Sequence, residues 1–242
     1  MDIQEFKNIQ EFSDTFDTLL NSYSNQLPFG EQSSKADIVL NEYEKSLYLT
    51  KAQEEIVVNL YNGRNQYGLS FESTEEARRY LETLIKTVVC DPENRSLKNT
   101  TANSVFFKLQ PDVAFITMEQ ITYDDTSLGC YNGSTASVQP VTQDEYNKIK
   151  NNPFRGPTKY RAIRLDAGNN TVEIISKYKV KDYLLKYLAQ PKPIILEELP
   201  DNLSIRGEND PMGCKLHPIL HNIILERAVQ IALQVKRIGI NT

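Results

Sequence analysis
Apolar positions in the first ninety residues recur at the spacing of one helix face. Ile9, Phe12, Phe16, Leu19, Leu20 and Tyr23 form a stripe that predicts an amphipathic helix over residues 9–23. Pro28 and Gly30 break it. The stripe resumes after Ala36 with Ile38, Val39, Tyr43 and Leu47. Thr50 followed by Gln53 has capping-box spacing, which predicts a fresh helix start there. Ala52, Ile56, Val57 and Leu60 continue inward, and Gly63 supplies a C-terminal stop. Ser73 and Glu76 make a second such pair. They open a predicted helix running to about Val88, with Ala77, Tyr80, Leu81, Leu84 and Ile85 facing the core.

The period then changes. "SVFFKLQPDVAFITMEQITYDD" (104–125) is rich in β-branched and aromatic residues and partly alternates, so it reads as strand. Ala162, Ile163 and Leu165, a Gly168-Asn169-Asn170 turn, then Val172, Ile174 and Ile175 predict a hairpin. Between these lies a loop-rich stretch with a short helix over 142–150, capped by Thr142 with Glu145 at its third position. "DYLLK" (182–186) reads as a charged helical stretch, "KPIILEEL" (192–199) as a strand. The last helix is predicted over about 218–237, with Pro218 in its first position and His217 as its cap. Ile219, Ile223 and Ala228 fall on one broad apolar face with Leu220, Ile224, Ile231, Leu233 and Val235 beside them.

Helices, then strands, then a helix make an α+β order rather than alternating βαβ units. The expected architecture is a helical bundle formed by the N-terminal helices and the C-terminal helix, with an inserted β-sheet or β-barrel-like portion. Residues 1–90 form the helical region, 91–213 the β-rich insertion with loops and an arm, and 214–242 the helix that packs back.

Composition narrows the function by exclusion. A chain of 242 residues with 40% hydrophobic and 24% charged residues builds a core and is not wholesale disordered. Its net charge of -5, with no run of five basic residues, argues against wrapping nucleic acid by phosphate neutralisation. Cys90, Cys130 and Cys214 are few, odd in number and far apart, which fits a reducing compartment better than a disulfide framework. The N-terminus lacks the basic and apolar regions of a signal peptide, and no apolar stretch approaches membrane-spanning length.

Two places carry candidate chemistry. Cys214, His217 and His221 have C-x2-H-x3-H spacing, so a thiolate and two imidazoles offer three corners of a zinc site. No second cysteine pair supplies a fourth ligand, and capping or packing of the last helix accounts for the same residues. Asp124-Asp125 is a candidate cation pair, or ordinary turn chemistry. Phosphate-loop, dinucleotide, nucleophile-elbow and H-E-x-x-H motifs are absent. No residue is therefore assigned a catalytic role, and no cofactor is expected. Thirteen tyrosines against no tryptophan fit either surfaces that are covered yet partly wet or ordinary core usage in a tryptophan-poor composition. Tyr43, Tyr48, Tyr61, Tyr67, Tyr80, Tyr178, Tyr183 and Tyr187 all sit in or near predicted helical stretches.

Three segments carry a resemblance. "LNEYEKSLYLTKAQEEIVVNLYNG" (40–63) resembles the first long helical region of head-to-tail connector proteins of tailed bacteriophages. Residues 161–199 are similar to their β segment, in which a strand pair leads to a run matched by Tyr183, Tyr187, Leu188, Pro191, Pro193, Ile194 and Leu196. "CKLHPILHNIILERAVQIAL" (214–233) resembles their C-terminal helix, where the pattern recurs without a metal. The nearest group is the ring, or adaptor, proteins of crAss-like podoviruses. The resemblance implies a structural virion protein at the head-tail neck. It implies a homo-dodecameric ring beneath the portal, with tail ring proteins below. Double-stranded DNA would pass through the hole during ejection without sequence-specific binding. It implies no enzyme activity, no cofactor and no membrane, and assembly in the host bacterial cytoplasm. The alternative is a zinc module or enzyme using Cys214, His217 and His221. Residues 124–160 depart from the pattern and read as an arm toward a neighbour.

Overall fold
A computed structural model describes residues 3–24, 40–65, 68–93, 104–200 and 202–240. The helices are α1 (Ile3–Ser24), α2 (Glu42–Asn62), α3 (Glu75–Tyr80), α4 (Gln143–Ile149) and α5 (Ile219–Ile240). The strands are β1 (Ile85–Cys90), β2 (Ser104–Lys108), β3 (Val113–Tyr123), β4 (Thr135–Pro140), β5 (Arg161–Gly168), β6 (Thr171–Ile175) and β7 (Val180–Ala189). The chain falls into two compact units, Met1–Leu84 with Pro191–Thr242 and Ile85–Gln190. It has the α+β architecture expected, helices from both ends of the chain with a sheet inserted between them.

In the helical unit, Ile9, Phe12, Phe16 and Leu20 of α1 are buried on the predicted face. Helix α2 starts at Asn41. The Asn41 side chain accepts from Glu44 N (2.7 Å), and the Glu44 carboxylate accepts from Asn41 N (3.2 Å). This reciprocal cap makes the expected start at Thr50 unnecessary: α2 runs unbroken to Gly63, whose φ of 70° is the left-handed conformation of a helix stop. Ile38 and Val39, with the break at Pro28 and Gly30, lie outside the described residues. Helix α3 is shorter than predicted. It begins after Thr74, while Ser73 N and Oγ both bond the Ser70 hydroxyl. From Ile85 the chain is strand, because β-branched Ile85, Thr87, Val88 and Val89 suit a ladder and β7 offers one.

The segment "KPIILEEL" is not a regular strand. Pro191 and Pro193 lack ladder donors, and its backbone pairing is a bridge between Ile195 and Met212 and a bond from Leu199 N to Asn209 O (3.0 Å). Side chains of α2 hold it instead. Ser46 Oγ accepts from Leu196 N (3.0 Å), Thr50 Oγ1 accepts from Ile194 N (3.0 Å), and Gln53 Nε2 donates to Lys192 O (2.8 Å). Helix α5 packs on α1 and α2 through Leu220, Ile224, Leu225, Ala228, Val229, Ile231 and Ala232. Ile219, Ile223 and Val235, expected on that face, are exposed. The buried stripe follows the 220-224-228-231 progression of a 3.6-residue period and leaves them on its flank.

The inserted unit is a curled seven-stranded sheet in the order β1-β7-β3-β4-β5-β6-β2. All neighbours are antiparallel except β4 and β5. Pro92 bridges Phe107, and Glu93 N donates to Phe106 O (2.7 Å), so chain leaving one edge strand bonds the other. The predicted hairpin is β5–β6, and Gly168, Asn169 and Asn170 all take positive φ in its turn. Residues 104–123 form two strands, separated where Pro111 interrupts the donors. "DYLLK", expected to be helical, lies in β7, which pairs on both sides with β1 and β3. Strand β4 lies in the stretch read as loop. It is short and mostly exposed, so it carries little hydrophobic signal. Phe107, Ile121, Tyr123, Ile174, Tyr183, Leu185 and Tyr187 belong to the core on one face. Tyr146 and Ile149 of α4 cover Ile163, Leu165 and Ile175 on the other.

Candidate assembly surfaces
The thiol and imidazoles around the start of α5 each have a different occupation. Cys214 Sγ donates to Gln53 Oε1 (3.4 Å), and burial pushes its pKa up to about 11. His217 Nδ1 accepts from Ile219 N (3.4 Å), the capping role read from the sequence, and its ring lies 5.5 Å from Tyr80. His221 Nε2 bonds Leu216 O (3.1 Å), and its ring meets the edge of Phe12 at 5.1 Å. Among the described residues, no three of His, Cys, Asp and Glu come together as a group that could hold a metal ion. A protonated thiol committed to a glutamine carbonyl is also a poor metal ligand at neutral pH.

Asp125 is turn chemistry. Its carboxylate accepts from Ser127 N (2.9 Å), Ser127 Oγ (2.6 Å) and Lys179 N (3.0 Å). The Ser127 bond and the Lys179 backbone bond hold its pKa below the usual carboxylate range.

The tyrosines divide differently from their sequence grouping. Tyr183 and Tyr187 are buried in the β core, whereas Tyr43, Tyr48, Tyr61, Tyr80 and Tyr178 are half-buried. Tyr67 lies outside the described residues. Among the described residues the exposed tyrosines are Tyr131 and Tyr160, and Lys159 Nζ sits over both rings at 4.6 and 4.7 Å. Beside them lies a cleft of about 440 Å³ whose walls include Lys150, Lys159, Lys177 and Tyr178 and, among the described residues, no carboxylate. Phe154, which follows the cleft residue Pro153 in the chain, is 86% exposed.

Charge separates by unit. Ile85–Gln190 carries 14 Lys and Arg against 11 Asp and Glu, a net +3; the remainder carries 13 against 21, a net -8. Whole-chain charge hides this split. Net charge summed over each predicted region would have found it.

Three findings relate the chain to known proteins. The family described as phage tail ring protein 3/4 matches over residues 7–242. "Ring protein 3" of Bacteroides phage crAss001 is 47% identical over 225 residues, covering 93% of this chain and 94% of that protein. "Ring protein 4/5" of the same phage is 31% identical over 234 residues, covering 93% and 92%.

Proposed function
The chain belongs to the phage tail ring protein 3/4 family, and from that premise we propose that it is a structural virion protein that assembles into a ring at the head-tail neck. About twelve copies would close the ring, each using two different patches so that one heterologous contact repeats around the axis. The ring sits beneath the portal and above further tail rings, and genomic DNA passes through its hole. The protein needs no cofactor and catalyses nothing.

The family match over nearly the whole chain carries this reading. Charge supports the passage of DNA: a net -5 per copy, repeated around a ring, repels phosphates at long range and lets the duplex slide. The hydrogen-bonded, protonated Cys214 supports a packing role for the residues that the zinc alternative would use.

Electron microscopy of intact virions, with this chain located by antibody or by fitting, tests the reading. A closed ring of about twelve copies adjoining the portal is expected. Its absence from the virion, or its presence there as isolated copies, would overturn it.

A further inference from the structure
Phe154 combines near-complete exposure with a tightly held backbone. Asn152 Oδ1 accepts from Phe154 N (2.9 Å) and Arg155 N (3.2 Å), and Gly156 N donates to Asn152 O (2.7 Å). Arg161 Nη2 donates to both Phe154 O (2.6 Å) and Gly156 O (3.0 Å). The loop is thus fixed before any partner arrives. Burying a large aromatic group from a rigid loop loses little conformational freedom, which is the property of an interface anchor.

We propose that Phe154 and the lysine-lined cleft beside it form a preorganised plug that seats on the acidic helical unit of a second copy of this chain. The proposal rests on the ring reading and names the two patches that the repeated contact needs. The plug's unit carries +3 and the receiving unit -8, so the two attract between copies. The receiving unit has an apolar groove of about 370 Å³ between α2 and the 204–206 segment. Leu47, Tyr48 and Ile205 line it, with Lys51, Glu54 and Arg206 among its polar walls. Nucleic acid fits the plug less well. Lys159 already lies over Tyr131 and Tyr160, Arg155 is paired with Glu145 at 3.1 Å, and three cleft lysines do not make a phosphate track.

The test places a photoreactive benzoylphenylalanine at position 154 of the full-length chain. Light and isotope-labelled copies are mixed, and duplex DNA is present. Fractions that electron microscopy shows to be rings are irradiated and mapped by mass spectrometry. Mixed-isotope crosslinks into residues 1–84 or 191–242 are expected. Crosslinks confined to one copy, to the β unit of another, or to DNA would overturn the docking and leave the ring intact. Failure of the unmodified chain to appear as rings, even in the virion, would remove the ring reading and the docking with it. Phe154→Asp should lower the ring fraction about tenfold or more while the monomer melts as before, because the side chain is exposed there. An unchanged ring fraction would count equally against the proposal.

Discussion

Gly156 has no room for a side chain. A Cβ there would lie 2.8 Å from Asn152 O and 3.3 Å from Ile149 O, both backbone atoms that cannot swing aside. Gly156→Ala should therefore cost about 1–3 kcal/mol in a urea melt of the monomer. Thr50 is a second single-residue pivot, because its hydroxyl is the partner of Ile194 N. Thr50→Val keeps the shape but leaves that amide buried and unpaired, a loss of about 1–3 kcal/mol by the same measurement. The thiols give a pH test. Burial raises both Cys90 and Cys214 to about 11, so they are harder to ionise folded than unfolded. Their contribution to stability is full below about 8.5, the unfolded value, and is lost as pH rises through about 11. Unfolding midpoints should fall across that window. With a thiol reagent at neutral pH, exposed Cys130 should react first and the other two only on unfolding.

At the scale of elements, side chains do the joining. Lys45, buried in α2, reaches Asp17 of α1 (2.6 Å) and Glu42 (2.8 Å). Burial alone would lower its pKa, but the bonds to Asp17 and Glu42 outweigh that and raise it. Inside the sheet, Glu119 of β3 accepts from Arg164 Nη1 of β5 (2.6 Å) and from the Tyr183 hydroxyl of β7. The two charged side chains are 5% and 11% exposed, so neither can be solvated if the other is removed. Glu119→Ala should cost about 3–5 kcal/mol, whereas replacing the pair together by apolar residues of similar volume, in a Tyr183→Phe background that removes the hydroxyl Glu119 accepts from, should be near neutral. A double-mutant cycle on thermal stability separates the two outcomes. The β1 strand shows why "LIKTVVC" misled. Its helical spacing continues the α3 stripe, yet β-branched residues and a waiting edge on β7 decide the conformation.

At the scale of the molecule, the inserted unit begins and ends in paired strands, with Ile85 opposite Leu188. Its ends are therefore neighbours, the arrangement that lets one fold be inserted in another. Residues 85–190 expressed alone should melt cooperatively with a β-rich circular dichroism spectrum. A fragment without a cooperative transition would show that the helical unit is needed to hold the sheet. The opposite charges of the two units also belong to this scale, since the +3 of the inserted unit is hidden in the chain's total of -5.

Periodicity by itself determined the α1 face, the Gly63 stop, the β5–β6 hairpin, the Thr142 cap and the order helices-sheet-helix, because each depends on residues close together in sequence. Family membership was legible in the same way, from runs such as Pro191-x-Pro193-Ile194. Only the tertiary structure decided that β1 and β7 are strands, that "KPIILEEL" is held by hydroxyls of α2, that Ile219 and Ile223 stay outside, and that Cys214 bonds Gln53. Each of those outcomes depends on a partner far away in the chain, and local pattern carries no information about which distant surface a residue will meet.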